Sequence, residues 1–189
     1  LITSVAAAQY NWELEKSKDG INVYTADQKN SSFKAIKVEA TLKGTYAKLI
    51  GILTNVAGFH KWIYHNKQSK VLKKHTQHDL VYYSETSMPF PIANRDVIIR
   101  MQIKTDSLPK FMTVSGSNQN DYIPAIPGLQ RIPFYRASWK ISMPTSNSLH
   151  IVYYLEVDPG GSLPAWLANS FADKGPFNTF SNLAEQLKE

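Results

Sequence analysis

The chain has no cysteine, and this absence excludes disulfide bonds, thiol catalysis and cysteine-ligated zinc sites. It also has no apolar run that approaches the roughly 20 residues a membrane-spanning helix needs. No nucleophile-elbow motif, phosphate-binding loop or dinucleotide-binding glycine motif occurs, so the familiar hydrolase and nucleotide-dependent chemistries have no support. What is present is an ordinary globular composition, 43% hydrophobic and 12% aromatic in 189 residues, which is enough for one domain with a substantial core.

Positive charge exceeds negative charge by six, and much of the excess lies between Lys61 and Lys74. The favoured interpretation is a solvated strand face, and the alternative is attraction to the anionic headgroups of a membrane surface. Nucleic-acid binding is not expected, because no matching motif accompanies the charge. His75 and His78 flank a turn and have no third ligand nearby in sequence, so neither a metal site nor a cofactor is predicted.

The first residues allow two interpretations. Small residues at Ala6 and Ala8 before Gln9 are typical of the tail of a secretory signal peptide cut after Ala8, which predicts an exported or periplasmic protein. The alternative is a short alanine-rich first helix in a cytoplasmic protein. In both cases residues 1–9 are separate from a single predicted domain over 10–189, which has no self-association motif and is expected to be a monomer.

The order of secondary structure predicts an α+β fold. A hairpin turns at Gly20, a strand covers Lys34–Leu42, and a helix follows the capping residue Thr45. Further strand patterns occupy 68–74, 79–87, 95–104, 111–117, 135–141 and 150–157. Apolar spacing then predicts a helix over 163–187, with a kink at Gly175-Pro176. A long run of strands before one terminal helix is typical of an antiparallel sheet that curves around that helix.

Strand alternation assigns residues to faces, since residues two apart point the same way. In the strand at 95–104, Val97, Ile99 and Met101 are expected to point inward and Arg100 outward. Similar reasoning, with ordinary core packing as the alternative at every position, selects the remaining candidates for the wall of an internal cavity: Val81, Tyr83, Glu85, Met112, Val114, Trp139, Tyr153, Leu155, Trp166, Phe177, Phe180 and Leu183.

Three motifs follow one another in a characteristic order: "YSE" with "MPFPIANRD" at 83–96, "YRASWKISMP" at 135–144 and "DPGGSLPAWLAN" at 158–169. Together with the early "WELEKSKDGINVYT", they resemble the steroidogenic-acute-regulatory-related lipid transfer (START) domain from about Trp12 to the C-terminus. The resemblance implies a helix-grip fold, in which a U-shaped antiparallel sheet surrounds the C-terminal helix and leaves a tunnel for one lipid or sterol.

The resemblance also implies a gate formed by the terminal helix and the loop between the strands at 79–87 and 95–104. Phe90 and Pro91 lie in that loop, where Phe90 either presents an apolar patch to a membrane or plugs the core. At the other side of the gate, Gly160 and Gly161 allow a tight reversal and Pro164 fits the first turn of a helix, so these residues are predicted to form a hinge.

Two positions bear on the ligand. Many relatives place a buried arginine where this chain has Met101, which favours a more apolar ligand end. Glu85 matches a position that lines the tunnel in some relatives, and the alternative is that its carboxylate faces solvent from the strand.

Arg95 and Asp96 are interpreted as a structural pair, in which Arg95 clamps Asp96 or a nearby carbonyl and fixes the loop.

Two functional classes remain open. The first is non-catalytic binding and carriage of a lipid or other hydrophobic molecule. The second is a helix-grip enzyme of the polyketide cyclase or aromatase type, with Glu85, Tyr83 and Tyr153 as acid–base candidates. The shape of the pocket should distinguish them, because carriage needs a long apolar tunnel and catalysis needs converging polar groups.

Overall fold

The computed structural model describes residues 10–169 and 171–189; the N-terminal segment interpreted as a signal-peptide tail or first helix lies outside them. The strands are β1 Glu13–Lys18, β2 Ile21–Gln28, β3 Ser31–Lys43, β4 Asn66–Thr76, β5 Asp79–Thr86, β6 Arg95–Lys104, β7 Met112–Asn118, β8 Gln130–Arg131, β9 Phe134–Thr145 and β10 Ser148–Asp158. The α-helices are α1 Tyr46–Thr54, α2 Ala165–Asn169 and α3 Lys174–Gln186, and short 3-10 helices cover Val56–Lys61 and Asn120–Tyr122.

The strands form one curved sheet in the order β1-β2-β3-β10-β9-β7-β6-β5-β4. Neighbouring strands along this path are antiparallel, as predicted, and the two-residue β8 adds a parallel pairing with β6. The predicted hairpin is confirmed at β1–β2, where Asp19 and Gly20 both take positive φ angles of 52° and 76°. The predicted cap of α1 is also confirmed, because the Thr45 hydroxyl accepts a hydrogen bond from the Lys48 amide.

The concave face of the sheet packs against α3 and carries the main core. Alternate residues of β3, β6, β7, β9 and β10 point to this face, and Phe180 and Leu183 of α3 are buried against it. The helix-grip architecture expected from the sequence is therefore present. None of the helices in the described ranges is long and apolar enough to cross a membrane.

The C-terminal segment differs from the single kinked helix predicted from its apolar spacing. It contains two helices, the short α2 and the longer α3, so the interruption precedes Gly175-Pro176. Pro176 lies in the first turn of α3, where a missing N–H costs no helical hydrogen bond, and therefore it does not kink the helix.

Candidate functional site

A cavity of about 280 Å³ lies between the concave face of the sheet and α3. We call it the inner chamber. It is lined by residues from β3, β5, β6, β7, β9 and β10, from α1 and α3, and from the segment between α1 and β4: Ile36, Leu53, Phe59, Trp62, Ile63, Tyr64, Tyr82, Ile99, Met101, Val114, Ser115, Gly116, Tyr135, Ala137, Trp139, Tyr153, Leu155, Gly175, Pro176, Thr179 and Phe180. These residues include no Asp, Glu, Lys, Arg or His, so the described wall of the chamber carries no ionisable charge at neutral pH.

A few polar groups interrupt this apolar wall. Three tyrosine side chains, those of Tyr82, Tyr135 and Tyr153, lie in this wall, and they are close enough together to influence one another's pKa values. Desolvation by burial raises the pKa of Tyr135 to about 12 and the pKa values of Tyr82 and Tyr153 well above 10.0. All three hydroxyls therefore stay protonated and neutral at physiological pH, and they act as hydrogen-bond donors or acceptors rather than as charges.

The inner chamber adjoins a second cavity of about 520 Å³, which we call the outer groove. The two share Ile36, Tyr64 and Gly175 in their walls. The groove runs between the end of β5 and the segment that carries α2, and its lining is mainly apolar: Phe33, Lys34, Ile36, Tyr64, His65, Thr86, Ser87, Met88, Pro89, Val157, Pro159, Leu163, Ala168, Asn169, Phe171, Ala172 and Gly175. It is therefore the mouth of the chamber.

One side of the mouth is the loop between β5 and β6, residues 87–94, which we call the gating loop. Its base is fixed, because the Ser87 amide donates to the His65 carbonyl at 2.9 Å and the Met88 amide donates to the Asn94 side chain at 3.0 Å. At the tip of the loop, the side chain of Phe90 is 97% exposed. Phe90 consequently does not plug the core, and the other alternative, an exposed apolar patch, describes this structure.

The opposite side of the mouth is the turn that leads from β10 into α2. Gly160 and Gly161 both have φ near +67°, a conformation that favours glycine, and a Cβ on Gly160 would lie 3.1 Å from the Arg131 carbonyl oxygen. Pro164 begins the next turn, and its carbonyl accepts hydrogen bonds from the Leu167 and Ala168 amides. The turn is thus well defined, while its service as a hinge stays a prediction.

Seven of the predicted cavity residues line the inner chamber: Ile99, Met101, Val114, Trp139, Tyr153, Leu155 and Phe180. Four others are buried in the main core beside it without reaching either cavity: Val97, Met112, Phe177 and Leu183. Whether the seven contact a ligand remains a prediction that their position supports.

Trp166 was expected to line the cavity, and the structure corrects this placement. Its side chain is 72% exposed on the short α2. The helical spacing that predicted an inward position assumed one continuous helix from 163 to 187, and the interruption before α3 changes the direction in which Trp166 points. It lies on the segment bordering the mouth instead.

Val81, Tyr83 and Glu85 were also expected to face the cavity, and the structure places them on the convex side of the sheet. Val81 and Tyr83 form a separate buried cluster with Ile98, while Tyr82 between them reaches the chamber. The segment "DLVYYSET" is buried on both faces, because residues 119–133 cover its convex side with Ile123. Alternation therefore could not show which face was interior.

Glu85 is buried at 2% exposure and has a partner for each oxygen. Lys67 and Asn94 donate to one oxygen at 2.9 and 3.0 Å, and Gln68 donates to the other at 2.7 Å. Desolvation raises the pKa of this carboxyl, but the hydrogen bonds from Gln68, Lys67 and Asn94 outweigh it, so the pKa lies below its ordinary value. Because Asn94 also holds Met88, Glu85 anchors the gating loop to β4 rather than contacting a ligand.

The proposed pair of Arg95 and Asp96 is also corrected. The two are adjacent in β6, so they point to opposite faces. Asp96 instead forms a two-bond salt bridge with Arg131, with nitrogen–oxygen distances of 3.0 and 2.9 Å. Arg95 donates to the Ala93 carbonyl at 2.5 Å, which is the second alternative foreseen for it, and this bond stiffens the end of the gating loop.

Reasoning from sequence missed three polar residues of the chamber, Trp62, Tyr82 and Tyr135. Trp62 follows a 3-10 helix and belongs to no periodic segment, so no spacing rule predicted its direction. Tyr82 had the wrong parity assigned, and pairing with Ile99 of β6 would have corrected it. Tyr135 begins the segment "YRASWKIS", and its alternation with Ala137 and Trp139 was a usable signal.

A different cavity of about 570 Å³ lies away from the chamber, beside the ends of β9 and β10. Tyr10 donates a 2.6 Å hydrogen bond to Glu156 there, and Arg136 also pairs with Glu156. Tyr10, Arg136 and Glu156 already bind one another, and the lining is largely polar, so the apolar chamber and groove are the better candidate for a lipid site.

Comparisons with known proteins agree with this architecture. The START domain family model matches residues 1–189. A crystal structure of a STAR-related lipid transfer protein from Xanthomonas axonopodis superposes with a TM-score of 0.86 at 29% identity, covering 94% of this chain and 99% of that one. An uncharacterized protein of Pseudomonas aeruginosa is 32% identical over 174 residues, which cover 92% of this chain and 85% of that protein.

Among characterised relatives, the phosphatidylcholine transfer protein of Mus musculus is 25% identical over 179 residues, with 93% of this chain and 83% of that protein covered. The match to the family model extends over the whole chain and agrees with the sheet, the terminal helix and the enclosed chamber between them. This chain is a member of the START domain family.

Proposed function

We propose that the protein binds one lipid in the inner chamber and outer groove and carries it between membranes without chemical change. The observation that supports this most directly is an apolar chamber, free of ionisable side chains in its described wall, that opens into an apolar groove. Relatives named for lipid transfer support the same function.

Desolvation supplies the binding energy. Each methylene group transferred from water contributes about 0.8 kcal/mol, so ten buried methylenes contribute roughly 8 kcal/mol before the cost of association. A molecule bound in this way has no free path through the sheet. Release must occur through the groove, where the gating loop and the segment around α2 face each other.

Two exposed aromatic side chains suggest how the mouth meets a membrane. Phe90 on the gating loop and Trp166 on α2 are large, apolar and largely exposed, and they lie on the two sides of the groove. Exposed apolar groups of this kind mark sites of interaction, and aromatic side chains favour the membrane interface. We infer that they enter the headgroup layer and that the lysines of β4 other than Lys67, which is paired with Glu85, add attraction to anionic lipid.

The catalytic alternative is less well supported by the geometry. Its acid–base candidates Glu85 and Tyr83 lie on the convex side of the sheet, whereas Tyr153 lies in the chamber. The sheet separates them, so they cannot act on one bound substrate. The polar side chains that line the chamber are uncharged: tyrosines, tryptophans, a serine and a threonine.

Transfer of a fluorescent phospholipid or a fluorescent sterol between donor and acceptor vesicles tests the proposal. The wild-type protein should accelerate transfer, and Phe90→Ser and Trp166→Ser should each slow it severalfold while the purified proteins keep their bound lipid. Ile126→Ser is the matched control, because Ile126 is also exposed but lies outside the mouth. A wild-type protein that neither retains nor transfers any lipid would refute carriage, and equal slowing by all three variants would refute the membrane contact.

A further inference from the structure

We propose that the inner chamber recognises one uncharged oxygen of its ligand through the indole N–H of Trp62 and the Tyr82, Tyr135 and Tyr153 hydroxyls. The ligand class is thus a neutral lipid with a hydroxyl or carbonyl group, in preference to a phospholipid headgroup. The inference rests on the proposed function and specifies what the chamber takes.

Trp62 provides the first observation. Its side chain is in the chamber wall and is 3% exposed, and its indole nitrogen has no acceptor among the described residues. An indole N–H only donates, and a buried donor without an acceptor costs about 1–3 kcal/mol. An oxygen acceptor on a bound ligand removes that cost, whereas an alkyl chain alone does not.

The tyrosines provide the second observation, which is independent of Trp62. Tyr82, Tyr135 and Tyr153 all line the chamber, and each hydroxyl has a proton that it can donate to a ligand oxygen. Phe59 packs edge-on against both Trp62 and Tyr82, at 5.4 and 5.2 Å between ring centres. Phe59 therefore contacts both the indole and the Tyr82 ring and restricts the movement of each.

The charge of the chamber decides between ligand classes. A phosphate buried in an apolar wall needs a cation as partner, and the chamber lining in the described part of the chain supplies none. An aromatic wall can attract a quaternary ammonium through its ring faces. That contact would leave the Trp62 N–H without an acceptor, and for this reason the neutral oxygen is the better match.

A competition between three probes tests the inference. The folded protein is equilibrated with vesicles that contain equal amounts of octadecan-1-ol, octadecane and dioleoylphosphatidylcholine, then separated from them, and its bound lipids are extracted and quantified. The alcohol and the alkane share one chain and differ only in the oxygen. We expect the alcohol to exceed the alkane by about tenfold, the factor that corresponds to 1.4 kcal/mol, and to exceed the phospholipid.

The variants Trp62→Phe and Tyr153→Phe should reduce the ratio of alcohol to alkane toward one while keeping total occupancy. Trp12→Phe is the matched control, because Trp12 packs against Tyr10 and Tyr154, away from the chamber lining. Equal binding of alcohol and alkane by the wild type would overturn the inference, whatever the variants do. Preferential retention of the phospholipid would also overturn it and leave lipid carriage intact, whereas retention of no probe would count against both.

Discussion

The salt bridge between Asp96 and Arg131 offers a quantitative test of what holds the convex side of the sheet together. Asp96 is fully buried, and the Arg131 guanidinium donates to both of its oxygens. Arg131 also donates to the carbonyls of Asn120, Ile123 and Pro124, so it fixes the segment that covers the second buried cluster. Asp96→Asn keeps the size of the side chain and removes its charge.

The expected cost follows from burial. Removing one partner of a buried ion pair leaves the other charge uncompensated and typically costs about 3–5 kcal/mol. In a chain of this length each kcal/mol lowers the melting temperature by roughly 2–4 °C, so Asp96→Asn should lower it by about 6–20 °C. Calorimetry and urea denaturation both measure this change.

A second pair in the same molecule is a matched control. Asp79 and Arg100 have the same two-bond geometry, at 3.0 and 2.7 Å, but the arginine side chain is 40% exposed. Solvent screens such a pair, so Asp79→Asn should change the melting temperature by no more than about 3 °C. Equal losses for the two substitutions would show that burial does not set the cost and would refute the reasoning.

Two further predictions concern the two sides of the mouth. Gly128→Ala should lower the free energy of unfolding by about 1–2 kcal/mol, because alanine is strained at this positive φ. Gly160→Ala should lower it further, because the added Cβ would also crowd the Arg131 carbonyl. Equal losses for the two variants would contradict this reasoning. The folded-state pKa of Glu85 lies below 4.5, so its bonds stabilise the fold above that pH and are lost as the pH falls through the lowered value. Urea denaturation between pH 5 and pH 3 should therefore show a smaller loss of stability for Glu85→Gln than for the wild type, and parallel curves would contradict the assignment.

Local patterns predicted much of the fold correctly. Apolar residues alternate on one face of β3, and the same pattern in β6 correctly placed Val97, Ile99 and Met101 on the concave side. These predictions succeeded because the outer face of each strand is mainly polar, with Ile98 of β6 as an exception, so the opposite face is the one that buries most apolar residues. The gating loop was located through the resemblance to the START domain, and the glycine turn was located because glycine permits the backbone conformations that a tight reversal needs.

The errors occurred where burial depends on residues distant in sequence. β5 is buried on both faces, since Ile123 in the segment 119–133 packs against its convex side. Both faces of the strand are therefore largely apolar, and its sequence pattern does not show whether Tyr82 or Tyr83 points inward. Asp96 pairs with Arg131, which is 35 residues away, and the neighbouring Arg95 was mistaken for its partner. The exposure of Trp166 depends on an interruption between α2 and α3 that apolar spacing did not reveal.

The sequence by itself determined the class of fold and many of the concave core residues, because those follow from local periodicity, and its resemblance to the START domain indicated where the mouth lies. Only the tertiary structure decided which polar groups reach the inner chamber and which buried charges become paired. Trp62, Tyr82 and Tyr153 are 20 or more residues apart and meet only when the sheet curves around α3. Hydrogen bonding and desolvation act over a few ångströms in space, and separation along the chain does not encode that distance.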